Sequence, residues 1–292
     1  MRWLKSPWLK SLRVVGIGCL MASLAISSAA AVIEPTQQPL WELGLGGGAL
    51  TMAAYRGADT LTTYLIPIPY FVYRGKILRA DRNGVRSVMF ARDAIEINLN
   101  AGGTIPVSSR NVSARQGMPS LKPIFEIGPS VNWHVYETQD RQVRFDIRAP
   151  LRVAMSVSAS PKIVGLSFTP QFNVDWPNVG GHPGWDLGLL TGPIFSDRQY
   201  NQYFYAVAPQ YARLDRPAYQ ASGGYAGTQF LGAISKRYPK FWTGAYARYD
   251  TLKGATFADS PLVRSKGYWA IGLGFAWMVG YSSTLVDSSA AQ

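Results

Sequence analysis

Cysteine is almost missing from this 292-residue chain: Cys19 is the only one. It lies inside a leader-like segment described below, so the exported chain can form no disulfide and presents no thiolate to a metal or substrate. Histidine is nearly as scarce. His134 and His182 stand without nearby cysteines or paired carboxylates, which is a poor basis for a zinc site. Charged residues make up only 16% of the chain, and helical periodicity is convincing nowhere beyond the leader. No later stretch reaches the ~18 consecutive apolar residues of a spanning helix. Disulfide scaffolds, metal clusters and helical membrane bundles are thereby set aside.

The chain begins with the features of a secretory signal peptide. Arg2, Lys5, Lys10 and Arg13 form a basic region, residues 14–26 a short apolar core, and Ala29, Ala30 and Ala31 a small-residue cleavage site. The apolar run is shorter than the ~20 residues that an uncleaved anchor needs. A lipoprotein reading of Gly16-Ile17-Gly18-Cys19 fails because too little hydrophobic core precedes the cysteine. Removing the four basic residues lowers the net charge from +12 to +8, so the exported protein stays cationic. The expected organisation is a signal peptide over residues 1–31, one domain over 32–279 and a polar tail over 280–292.

What the sequence has in place of helices is alternation. In residues 143–157, Val143, Phe145, Ile147, Ala149, Leu151, Val153, Met155 and Val157 are apolar, while Arg144, Asp146, Arg148, Arg152 and Ser156 fall between them. Period two means a strand with one greasy and one wet face. A run of this length exceeds the five or six residues usual in soluble strands. The pattern returns in residues 125–135, 164–176 and 269–279, the last with small residues between its aromatic and aliphatic ones. Weaker candidates are 41–51, 63–73, 86–90, 95–105, 185–194, 203–211, 223–235 and 241–249, for a total of about twelve within a range of ten to fourteen.

Turn residues separate the segments at Arg82-Asn83-Gly84, Thr138-Gln139-Asp140, 158–161, 177–184 and 236–240. A soluble β-sandwich also alternates. Against it stand the segment lengths and the aromatic residues near strand ends, Trp133, Tyr136, Trp176 and Trp185, placed as interfacial girdles would be. An all-β, transmembrane, antiparallel up-and-down β-barrel is therefore expected. Its apolar faces meet lipid, and Arg144, Asp146, Arg148, Arg152, His134 and Glu126 are candidate lumen-lining residues. A charge on the lipid face would cost roughly 2–4 kcal/mol at mid-bilayer, which favours the inward placement.

A search for chemistry gives little. Ser130 and Ser260 could be nominated as nucleophiles, but no Gly-x-Ser-x-Gly elbow supports either, and Asp259-Ser260-Pro261 reads as a turn. Gly44 to Gly48 is not followed by the helix that a phosphate-binding loop requires, so close packing explains it better. Pro67 and Pro69 cannot donate to a ladder and suggest a bend or bulge near the rim. No catalytic residue, cofactor or metal site is expected. Basic residues in the connections, such as Lys236, Arg237, Lys240, Lys253, Arg264 and Lys266, could attract lipopolysaccharide phosphates or acidic partners, or be ordinary solvated charges. Nucleic acid is not a sensible partner for an exported barrel.

Three blocks together resemble the MipA/OmpV family of outer-membrane proteins, also called MltA-interacting proteins. WELGLGGGAL, AAYRGAD and LIPIPYFVYRG resemble the family's start; YNQYFYAVAPQYARLDRPAYQASGGY its aromatic middle; and YDTLKGATFADSPLVRSKGYWAIGLGFAW its closing turn and strand. One departure is the end, since barrels commonly finish on an aromatic residue and this chain runs on past Trp277. The resemblance implies a Gram-negative outer-membrane location amid lipid and lipopolysaccharide. For the best-described relatives it implies a scaffold role, holding a lytic transglycosylase and a murein synthase, with no catalytic residues to carry over. The alternatives are a narrow anion-preferring channel lined by Arg144, Arg148 and Arg152, a surface adhesin or antigen, and, least supported, a lipid-modifying enzyme.

Overall fold

The structure, a computed structural model, describes residues 37 to 287 except 75–77, 82–83, 93 and 140–141. The expected signal peptide, the last five residues and parts of two expected turns (Asn83, Asp140) lie outside the described residues. The strands are β1 (Gln37–Pro39), β2 (Trp41–Ala53), β3 (Leu61–Arg74), β4 (Leu78–Asp81), β5 (Gly84–Arg92), β6 (Ile95–Thr104), β7 (Ile124–Glu137), β8 (Arg144–Ser156), β9 (Ile163–Phe168), β10 (Gln171–Trp176), β11 (Trp185–Ser196), β12 (Gly224–Arg237), β13 (Phe241–Thr251), β14 (Gly267–Tyr281) and β15 (Leu285–Asp287). One α-helix, α1 (Arg198–Tyr205), precedes β12.

From β2 to β14 each strand pairs antiparallel with its neighbour, and β14 returns to β2, which closes a barrel. β9 and β10 act as one strand broken at Thr169 and Pro170, because both pair with β8 and with β11. Pro170 offers no amide to a ladder, and the break falls there. Counted so, the wall has twelve strands, an even number as in other single-chain bacterial barrels. β1 pairs with β15 beside the end at which the chain enters and leaves the wall. The short connections 177–184 and 238–240 share this terminal end, and the longer 105–123, 197–223 and 252–266 lie at the other, the loop end.

The alternation has its expected physical result. Outward Leu45, Phe172, Leu273 and Val279 are each more than half exposed, as are Tyr136, Trp269, Trp277 and Tyr281 nearer the strand ends. A continuous apolar surface of this kind is ruinous in water and natural against lipid. Inward Asn98, Asp146, Asn173, Ser235 and Asp250 are buried. No helix among the described residues is long and apolar enough to cross a membrane.

Two sequence expectations fail. Residues 203–211 are not a strand: they hold the end of α1 and a short 3-10 turn, Pro209–Tyr211. Asp197 caps that helix, its carboxylate accepting from the amide of Tyr200 at 2.7 Å. The total stays at twelve because β4, only four residues long, carried too little pattern to be read. Pro67 and Pro69 bend nothing on the β2 side, where β3 keeps one register from Leu61 to Tyr73.

Candidate functional site

The inward face of β8 is laid down by its even positions, and the register carries it to its neighbours. His134 on β7 stands opposite Asp146, and Asp175 on β10 stands opposite Arg144. His134 Nδ1 lies 2.7 Å from Asp146 Oδ1, and Arg148 Nη2 donates to Asp146 Oδ2 at 2.9 Å. Arg144 and Arg148 both donate to Asp175 Oδ2, at 3.0 and 3.3 Å. The result is a buried network of two carboxylates, two guanidinium groups and an imidazole. Nearer the loop end, Arg152 donates to Asn100 Oδ1 at 2.7 Å and lies 3.9 Å from Glu126 Oε2. Glu126 also accepts from the Tyr200 hydroxyl at 2.7 Å and from Ser167 at 3.2 Å.

The loop end is closed by structure of a different kind. Inward Leu50, Ile124, Ala154, Ile194 and Tyr246 share one apolar core with the loop residues Tyr55, Val112, Leu121, Phe204, Val207, Phe257 and Leu262. The Tyr205 ring stacks on Phe257 with centroids 3.7 Å apart. Two buried arginines hold the loops through carbonyl oxygens: Arg115 donates to Phe204 and Pro119, and Arg216 to Ala114, Gln116 and Tyr211. Burial pushes the Arg115 pKa down and the Tyr55 hydroxyl up to about 12. The Tyr55 hydroxyl donates to the Leu262 carbonyl at 2.7 Å. Arg56 links cap and wall, reaching Asp250 Oδ2 at 2.6 Å and the Ala226 carbonyl at 2.7 Å.

The opposite inner wall is rich in glycine and apolar side chains, with ion pairs toward its two ends, Arg237 with Glu42 at 2.8 Å and Arg248 with Asp250 at 2.7 Å. Trp242, Tyr70, Val72 and Ala276 form a second cluster with Met278. A Cβ on Gly48 would meet Ile68 Cδ1 at 2.7 Å, and one on Gly274 would meet the same atom at 2.9 Å. The glycines are thus the floor on which Ile68 and the Trp242 and Tyr246 rings lie. Close packing, not phosphate binding, is what Gly44 to Gly48 serve.

Residues 45–279 match the family described as MltA-interacting protein MipA. The chain belongs to the MipA family. Outer membrane protein OmpV of Vibrio cholerae is 30% identical over 214 residues, covering 71% of this chain and 76% of that protein. Outer membrane protein Omp26La of Vibrio anguillarum is 22% identical over 213 residues, with the same two shares. Among solved structures, the outer membrane protein OprG from Pseudomonas aeruginosa gives a TM-score of 0.24 at 6% identity, covering 83% of this chain and 98% of that one. The Pseudomonas putida toluene transporter TodX gives 0.31 at 9%, covering 92% and 77%. At these scores the likenesses add nothing to the topology described above. This MipA-family protein is an outer-membrane β-barrel.

In this MipA-family barrel the six candidate residues occupy one side of the interior. Arg144, Asp146, Arg148 and His134 form one network, while Glu126 and Arg152 belong to the other. Asp175 in the first network and Asn100 and Tyr200 in the second are members that strand-by-strand reading missed. Asp175 lies on the wet face of its own alternating segment, and only the register brings it to Arg144 and Arg148. The nominated nucleophiles are committed elsewhere: Ser130 donates to Asn132 Oδ1 at 2.9 Å, and Ser260 to the Tyr205 carbonyl at 2.8 Å.

Proposed function

We propose that this MipA-family barrel is a structural scaffold for murein-cleaving and murein-synthesising enzymes, and that it performs no chemistry itself. The observation that carries the reading is the pairing of the interior charges. Arg144, Arg148 and Arg152 each face a carboxylate across a strand, and the loop end is packed with apolar side chains. A barrel filled in this way uses its interior to hold its shape. That leaves its turns and termini for contact with partners.

By the general plan of such barrels the short turns and both termini face the periplasm. There 177–184 and 238–240 are the accessible connections, with Lys236 beside the Trp185 and Tyr238 rings at 5.2 and 5.1 Å. The family's description as MltA-interacting supports partners of the lytic transglycosylase class. The anion-channel alternative loses weight because its arginines are matched by carboxylates.

In-cell crosslinking of tagged protein, followed by identification of the bound proteins, tests the proposal. Capture of a lytic transglycosylase or murein synthase is expected, and replacing residues 177–184 with a short Gly-Ser turn should abolish it while the barrel still assembles. A correctly assembled barrel that captures no envelope enzyme would sink the scaffold reading.

A further inference from the structure

Among the described residues the barrel wall is incomplete beside β3. The amide of Ala54 donates to the carbonyl of Thr60 at 3.0 Å, in the same register that sets Met52 opposite Thr62. Even-numbered residues of β3 therefore exchange backbone hydrogen bonds with β2, and odd-numbered ones turn their backbone groups to the other side. On that side β3 meets only β4, through Tyr73 and Arg74. The far jamb is β6, whose pairing with β5 stops at Asn100 while its pairing with β7 runs on to Thr104. Among the described residues, the edge of β3 from Leu61 to Phe71 has no strand beside it. Three inter-strand steps separate β3 from β6 at the short β4–β5 hairpin, a gap of about 14 Å.

Pro67 and Pro69 are both odd-numbered, so each removes a donor from this unpartnered edge. In lipid an unpaired edge amide is costly, and proline on an edge also discourages a further strand from adding. The side chains agree with an opening onto lipid. Leu65 is 86% exposed and Leu61 63%. Just inside, Tyr64, Ile66 and Ile68 are only partly buried although they point inward. A Cβ on Gly102, inward on β6, would meet nothing within 4 Å. Asn100, hydrogen-bonded to Arg152, sits on the same inner face, so a polar side and an apolar side meet behind the gap.

We propose that the gap between β3 and β6 is a lateral portal, through which the apolar chain of a membrane-dissolved amphiphile enters the barrel and lies along Tyr64, Ile66 and Ile68. The loop cap shuts the axial route at that end, and the bilayer is the source of the ligand. This inference is independent of the scaffold reading.

The test uses the protein reconstituted in phosphatidylcholine vesicles that contain a fatty acid with a diazirine near its tail. Photolysis inserts the resulting carbene into neighbouring C–H bonds, and mass spectrometry locates the adducts. Adducts are expected on inward Tyr64, Ile66 and Ile68 as well as outward Leu45, Leu65 and Leu273, with none on inward Asn173 or Leu190. Gly102→Trp, which fills the free space behind the gap, should cut labelling of the three inward residues roughly fivefold and leave the outward residues as an internal measure of a folded barrel in lipid. Labelling confined to outward residues, or inward labelling untouched by Gly102→Trp, would overturn the portal. Loss of label from Leu61 and Leu65 alone among outward leucines would mean that a second copy covers the edge, and would overturn it equally.

Discussion

The two inner walls of this barrel obey the same alternation and fill space by opposite means. Along β7, β8 and β10 the inward positions carry charges that are answered across strands, as Asp146 answers His134 and Asp175 answers Arg144 and Arg148. Along β2, β13 and β14 the inward positions include glycines, and side chains from neighbouring strands lie over them, as Ile68 lies over Gly48 and Gly274. The charged wall is sensitive to subtraction, because removing one partner leaves a buried charge. The glycine wall is sensitive to addition, because there is no room for a Cβ. Period-two alternation fixes which face is inward and says nothing about which of these solutions fills it.

The strongest way to break the comparison is Gly46→Val. Its new side chain would fall on the Phe275 carbonyl and 2.5 Å from Ala276 Cα, both backbone atoms that cannot swing aside. The expected outcome is failure to form the barrel, read as loss of the faster-migrating folded band on unheated detergent gels; near-normal folding would show that the glycine wall has slack. Next comes Asp146→Ala on the charged wall, which takes the carboxylate from His134 and leaves Arg148 to share Asp175 with Arg144, and should cost about 3–5 kcal/mol in urea unfolding from lipid. Adding Arg148→Ala to that variant should recover part of the loss, and no recovery would refute the pairing as its cause.

A third prediction separates cap from wall. The Tyr55 hydroxyl is raised to about 12 by burial, so the folded cap favours its neutral form. A raised folded pKa means the contribution is intact below the ordinary value of 10.0 and is lost as pH rises through about 12. Protease sites in residues 105–123 and 252–266 should open over that interval while the strands stay protected, and Tyr55→Phe should remove the transition. The smallest effect is expected of Gly274→Ala, whose Cβ meets side chains and no backbone, the movable end of Ile68 at 2.9 Å and the Trp242 ring at 3.2 Å, and should cost about 1 kcal/mol in the same urea measurement.

Much of this could be read in the residues, for reasons that differ from place to place. Residues 143–157 announce a two-sided membrane strand because every odd position is apolar and nearly every even one is not. Residues 203–211 mislead for the same reason: Tyr203, Tyr205 and Val207 alternate by coincidence. Their aromatic side chains belong to α1 and a loop core, and Asp197, six residues earlier, is the cap that signals the helix. β4 is too short to carry a period. Pro67 and Pro69 were legible as a break in hydrogen bonding, but not as to which side of the strand it served.

The sequence by itself determined the membrane barrel and which face of its long alternating strands meets lipid, because those follow from periodicity and length along one strand at a time. Which charges meet, where the wall is left open and how the loops close one end were decided only by the tertiary structure. Each depends on register between strands distant in the chain. Asp175 finds Arg144 and Arg148 because β10 pairs with β8, and among the described residues β3 meets β4 only at Tyr73 and Arg74.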